Sequence, residues 1–173
     1  MRRLMLLRHA KSSWADPKQQ DFDRPLNARG SAAAQTVASY FSVTKLQPDL
    51  VLCSAALRAR ATLAPLVQVL AQDTQILIDK RLYMASAPKL LERLHDVGDN
   101  AETVLIIGHN PGLERLARML AGSGKDADLA ALEAKFPTAA LAVLEFDAAH
   151  WRNVEKGSGK LTEFLSPRDI DED

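Results

Sequence analysis

RLMLLRH at residues 3–9 is the stretch whose reading decides the architecture of this chain. Leu4 to Leu7 are apolar without a break, so both faces of the segment call for burial, the pattern of a strand in a parallel sheet covered by helices. The same form returns in DLVLCS at 49–54 and in TVLIIGH at 103–109. Helical periodicities separate the three. Ser31 to Val43 spaces Ala33, Val37, Ala38 and Phe41 for one face, Ala55 to Ala71 spaces Leu57, Ala61, Leu66 and Val69, and Leu90, Leu91, Leu94 and Val97 form a stripe that stops before Gly98. QILID at 75–79 reads as a further short strand. A helix with Pro111 in its first turn runs to Leu120 and is closed by Gly122, Ser123 and Gly124. This β/α alternation predicts an α/β fold with a mostly parallel central sheet and helices on both faces. Residues 139–146 alternate weakly and lead through Trp151 to Leu161–Leu165, which reads as one or two strands lying antiparallel at the sheet edge.

Length and composition point to one domain. The 173 residues, 47% hydrophobic and 25% charged, suffice to bury roughly 70% of the unfolded surface around a single core. The domain is expected to occupy residues 1–167, with a frayed acidic tail at 168–173 ending in Asp171-Glu172-Asp173. Twenty-two Lys and Arg balance 22 Asp and Glu, so the basic excess of a nucleic-acid binder is missing. A lone cysteine, Cys53, excludes an internal disulfide and any multi-thiolate metal site and suits a reducing cytoplasm. The apolar run at Leu4–Leu7 falls short of the roughly 7–15 residues of a secretory core, and no run nears the roughly 20 of a membrane span. A cytoplasmic chain with no membrane partner is expected. Residues 12–30, rich in Asp, Pro and Arg without an apolar period, read as a long loop, and loops of that length in compact domains are often functional.

The polar residues fall where such a sheet would gather them. Ligands of open parallel sheets bind beyond the carboxyl ends of the strands. Arg8-His9 ends the first run, Arg58 and Arg60 follow the second within a turn, and Gly108-His109-Asn110 ends the last. Converging arginines offer planar forks of donors that neutralise a dianionic phosphoryl group. A neutral imidazole among them, its pKa lowered by the neighbouring positive charge, keeps a lone pair with which to attack phosphorus. Each residue alone has a blander reading. A histidine at a strand end is commonly a satisfied polar group, Arg60 suits the solvated face of its helix, His95 lies beside an apolar stripe, and His150 lies in a polar turn. No two histidines have helical ligand spacing with a carboxylate partner, so neither a metal nor a cofactor is expected.

Five blocks in order carry a resemblance: LMLLRHAKSSW at 4–14, DRPLNARG at 23–30, SAALRARATL at 54–63, IIGHNPGLERLA at 106–117 and FPTAALAVLEF at 136–146. Together they resemble the histidine phosphatase superfamily, with its phosphoglycerate mutase-like fold, and within it the small bacterial phosphohistidine phosphatases of the SixA type. The resemblance implies a metal-independent phosphatase that works through a phosphohistidine intermediate, and a phosphate-containing substrate, phosphohistidine in a signalling protein. A phosphatase for small phosphate esters and a non-catalytic phosphoprotein-binding module are the alternatives. It further implies His9 as the phosphorylated nucleophile, Arg8 and Arg58 as phosphate clamps, and His109 as donor to the transferring oxygens. Arg24 would reach the same pocket from the long loop. Asn110 would position His109 or cap the next helix, and Ser54 would supply a contact or a simple turn.

Two departures stand out. Arg8-His9-Ala10 replaces the usual Arg-His-Gly, which asks only that the third residue be small. Met84 stands where many relatives place a glutamate that acts as general acid, and Asp16 or Asp21 on the loop is the alternative proton source. An alkoxide leaving group benefits roughly 10²–10⁴-fold from a positioned acid. Phosphohistidine, protonated on its ring, leaves as neutral imidazole and needs less help, so the missing acid favours it. The short chain also has little room for the helical insertions that cap the site in larger relatives.

Overall fold

The computed structural model describes residues 1–172. Strand β1 (Arg2–Arg8) lies inside the sheet, pairing parallel with β4 (Thr103–Gly108) on one side and antiparallel with β6 (Leu141–Phe146) on the other. That placement is why Leu4 to Leu7 expose nothing to solvent. The seven strands run in the order β3-β2-β4-β1-β6-β7-β5, with β2 at Leu50–Ser54, β3 at Gln75–Asp79, β5 at Ala121–Gly124 and β7 at Gly159–Leu165. β1, β2, β3 and β4 are parallel, and the antiparallel pairs are β1–β6 and β6–β7.

The uninterrupted apolar runs feed two cores through the alternation of the pleat. Leu4 and Leu6, with Val104 and Ile106, point to one face, where α3 (Ala87–His95), α4 (Gly112–Leu120) and α5 (Asp126–Ala134) contribute Leu90, Leu94, Leu113, Leu116 and Leu132. Met5 and Leu7, with Leu105 and Ile107, point to the other, where α1 (Ala28–Thr44) and α2 (Leu57–Val67) contribute Val37, Phe41, Leu63 and Leu66. Each fully buried side chain of this kind stabilises the fold by about 1.5–3 kcal/mol before entropy is counted. No helix among the described residues is long and apolar enough to cross a membrane.

Several elements differ from the sequence reading. Helix α1 starts three residues early because the Asn27 side chain accepts a hydrogen bond from Gly30 N at 2.8 Å, capping the helix at the end of the long loop. The loop itself is tied down, with Ser13 N donating to Pro25 O and Asn27 N to Lys11 O. Gly122-Ser123-Gly124 form an edge strand parallel to β7, and a Cβ at Gly122 would lie 1.8 Å from Gly157 O. Helix α5 had no apolar stripe to announce it, since only Leu132 is buried along it. Where a frayed tail was expected from residue 168, Pro167–Asp171 form a short helix, α6, with a capping box between Ser166 and Asp169 and with Ile170 packed on the α1 side of the core. Asp173, the end of that tail, lies outside the described residues.

The parallel register sets the site. Arg8 pairs with Gly108 and Cys53 with Ile107, so β1, β2 and β4 end level with one another. His9 N donates to Gly108 O at 3.1 Å, which carries the alignment one residue past the strand. Two glycines bring loops in close: a Cβ on Gly30 would sit 2.0 Å from Lys11 O, and one on Gly112 would sit 1.9 Å from Ala85 O.

Candidate active site

The six residues that the resemblance assigned to the site, Arg8, His9, Arg24, Arg58, His109 and Asn110, line one open cavity of about 380 Å³ at these strand ends. His9 follows β1 and is buried. Its Nδ1 lies 2.7 Å from Ala10 O. That contact assigns the proton to Nδ1 and leaves a lone pair on Nε2, toward which Arg58 Nε donates at 3.3 Å. Ala10 is itself held by Thr62 on α2, whose Oγ1 accepts from Ala10 N at 2.9 Å and donates to Arg58 O at 2.7 Å. Helix α2 therefore fixes Arg58 and the backbone beside His9 together. Ala10 is fully buried, so a small residue is required there.

His109 follows β4, with its ring centroid 5.1 Å from that of His9. Its Nε2 lies 2.7 Å from Ser54 Oγ at the end of β2, which gives Ser54 a place in the cluster. The Tyr83 ring stands edge-on to His109 with centroids 5.4 Å apart. Arg8 Nη1 and Asn110 Nδ2 both donate to Phe136 O, at 2.9 and 3.0 Å, and Asn110 Oδ1 accepts from Glu114 N at 3.3 Å. Asn110 thus braces the first turn of α4 as well as the wall of the site. Among the described residues, the buried side-chain nitrogens left without a hydrogen-bond partner are Arg8 Nε and His109 Nδ1, both in this cluster. Orphaned polar groups concentrated in one place mark a functional site more often than a packing fault.

Charge and burial act on these groups in one direction. Burial pushes His9 down to about 4, and Arg58, Arg8 and Arg24 add to the effect. Burial pushes His109 down to about 3, reinforced by His9 and Arg58. Both imidazoles are neutral at pH 7.

Asp21 is the residue that sequence reasoning named only as a proton source, and the structure gives it another setting. Its carboxylate accepts from Tyr83 Oη, from Arg24 Nε and Nη2 at 3.1 and 3.0 Å, and from Arg58 Nη2 at 3.0 Å. Arg58 Nη1 also donates to Asp21 O at 2.6 Å. The Tyr83 hydrogen bond, with those of Arg24 and Arg58, holds Asp21 down to about 2, so it is a carboxylate and carries no proton to give. Arg24 is folded into the site: Nη1 reaches Ser12 Oγ at 2.5 Å and its guanidinium stacks 3.5 Å from the centre of the exposed Trp14 ring. Met84 lines the same cavity, half exposed and with φ of 51°. The contributions of Thr62 and Tyr83 had no signal in the sequence, because they act on Ala10 and Asp21, 52 and 62 residues away.

The remaining candidates lie elsewhere. Arg60 points outward and donates to Ala55 O at 2.9 Å, His95 Nε2 contacts Val154 O at 2.7 Å, and His150 pairs with Asp99 at the surface. No three His, Cys, Asp or Glu side chains among the described residues come together to hold a metal ion.

A mixed sheet whose parallel strand ends gather three arginines and two neutral imidazoles defines an α/β enzyme that handles phosphoryl groups. A sequence profile of the histidine phosphatase superfamily (branch 1) matches residues 4–83. An uncharacterized protein of Mycobacterium tuberculosis is 41% identical over 94% of this chain and 100% of its own. The crystal structure of a candidate phosphohistidine phosphatase SixA from Agrobacterium tumefaciens is 33% identical, covers 96% of this chain and 98% of that one, and superposes with a TM-score of 0.81. The protein histidine phosphatase SixA complexed with tungstate, 21% identical over 97% of this chain and 99% of that one, shares the fold with a TM-score of 0.76. The chain belongs to the histidine phosphatase superfamily, and it is a SixA-like phosphatase.

Proposed function

We propose that this phosphatase removes phosphate from phosphohistidine carried by a protein, with His9 as nucleophile, Arg8 and Arg58 as phosphate clamps, and His109 as a hydrogen-bond donor to the transferring oxygens. Arg24 and Asn110 hold the rim and wall of the same site. The observation that carries the reading is the His9 imidazole, neutral at pH 7, tethered through Nδ1 to Ala10 O and presenting Nε2 to Arg58.

In the first step Nε2 forms a bond to phosphorus while the bond from phosphorus to the substrate imidazole breaks. The electron pair stays with the departing nitrogen, and a substrate ring protonated on its other nitrogen leaves as neutral imidazole. Water then attacks phospho-His9, the bond from phosphorus to Nε2 breaks, and inorganic phosphate and neutral His9 are restored. Arginine forks match the equatorial oxygens and stabilise the charge that develops on them.

The choice of phosphohistidine over an ester rests on protons. Met84 has none to offer, Asp16 does not line the cavity, Asp21 is ionised, and Tyr83 commits its proton to Asp21. An alkoxide would therefore depart without an acid, whereas protonated phosphohistidine needs none.

The test compares phosphohistidine-bearing protein with an alkyl phosphate ester and repeats both with His9→Ala. We expect kcat/KM to favour phosphohistidine, the variant to lose about 10⁴-fold or more, and an acid-labile label to be trapped on His9 of the wild type. Undiminished turnover by the variant would end the assignment of the nucleophile, and equal use of the alkyl ester would end that of the substrate.

A further inference from the structure

A second cavity, of about 480 Å³, adjoins the first and shares Lys11 and Thr138 with it. Its walls bring together cations from four separate segments: Lys11 from the loop after β1, Arg29 from α1, Lys135 from the end of α5 and Arg168 from α6. All four are exposed. None of them makes an ion pair or a side-chain hydrogen bond among the described residues. The one carboxylate in the wall, Asp169, is engaged by Ser166 N and Oγ at 2.7 and 2.9 Å.

What sets these four apart, in a chain with no net charge, is that they line a single cavity. Several arginines outside the groove are matched, as Arg3 is by Glu145, Arg93 by Asp79 and Arg118 by Glu114. A trough with four unmatched cations raises the local concentration of anionic partners and steers their approach. Its lining selects among anions. A small dianion is held by donors converging on a point, whereas these cations come from four segments around a cavity of about 480 Å³, which suits an extended segment bearing several carboxylates.

The geometry points to this groove as the docking site for an acidic stretch of the phosphohistidine-bearing protein, next to the phosphorylated side chain. The inference rests on the substrate reading above and adds the feature that tells one phosphoprotein from another. Lys11 stands two residues from His9, at most about 7 Å along the backbone. A glutamate a few positions from a bound phosphohistidine is therefore within reach of the groove.

The test uses two synthetic phosphohistidine peptides, identical except that one has glutamates flanking the phosphohistidine and the other glutamines. We expect wild-type protein at low salt to favour the acidic peptide by about tenfold in kcat/KM, from a few solvated ion pairs acting together. Half-molar sodium chloride should erase that advantage. The combined Arg29→Glu, Lys135→Glu and Arg168→Glu variant should lose the preference, while turning over p-nitrophenyl phosphate and the glutamine peptide as the wild type does. Those two activities report its integrity, and the salt-sensitive preference of the wild type decides the matter without any variant. Equal kcat/KM for both peptides with wild-type protein would overturn the groove and leave the substrate reading standing. Failure to hydrolyse either peptide, with p-nitrophenyl phosphate still turned over, would overturn the substrate reading and the groove with it.

Discussion

The two halves of the sheet do different work. In the parallel half, β1, β2 and β4 end level and deliver His9, Ser54 and His109, with Arg58 in the first turn of the following helix. The antiparallel half, β6 and β7 with β5 at its edge, brings backbone to the site. Phe136 O receives Arg8 and Asn110, and Ala139 N donates to Arg8 O and His9 O at 3.0 and 3.1 Å. One half supplies the side chains of the cluster and the other braces them. Damage to the first should therefore register in turnover, and damage to the second in stability.

Substitutions can separate the two. Arg58→Ala removes the proposed phosphate clamp from the parallel half and should lower kcat/KM for p-nitrophenyl phosphate about 10²–10³-fold, roughly 3–4 kcal/mol of transition-state stabilisation, with the melting temperature moving by only a few degrees. Leu144→Ala empties a fully buried position on β6 and should lose about 2–5 kcal/mol in urea unfolding while kcat per folded molecule stays near wild type. If each substitution produced the other's phenotype, the division of labour would be broken.

Acid should sharpen the contrast. His9 and His109 have folded pKa values of about 4 and about 3, below the ordinary 6.5, so as pH falls through 6.5 the unfolded chain takes up protons before the folded one. Their contribution is full above that value and is lost progressively toward pH 4 for His9 and pH 3 for His109. Chemical unfolding at pH 7 and pH 5 should differ by roughly 3 kcal/mol from this pair, and replacing both with glutamine should flatten most of the slope. The smallest effect belongs to Asp21→Asn. Its carboxylate engages Arg58 and Arg24 donors that a phosphoryl group would use. Removing that charge should tighten inhibition by inorganic phosphate about three- to tenfold; weaker inhibition would show that Asp21 chiefly holds the arginines in place.

How much could be read from the sequence follows the same division. β1, β2 and β4 were legible because burial on both faces leaves an unbroken apolar run, β3 because Ile76-Leu77-Ile78 forms such a run although it lies exposed at the sheet edge, and His9, Arg58 and His109 could be placed because strand ends of such a sheet converge. β5 was illegible, since Ala121–Gly124 has almost no side chain to carry a pattern and is defined by close approach to Gly157. α5 buries only Leu132, too little for a period. The setting of Asp21 was also out of reach, because Arg58 and Tyr83, 37 and 62 residues away, create it.

Gly30 and Gly112 each put a helix in backbone contact with a loop at the cavity, through Lys11 O and Ala85 O. Neither residue lines the cavity. A library of random substitutions should nonetheless record both as intolerant, since any larger side chain pushes a wall of the site outward. Directed evolution of this enzyme would find its freedom on the rim, at exposed positions such as Trp14 and Met84, where side chains can change without moving the frame.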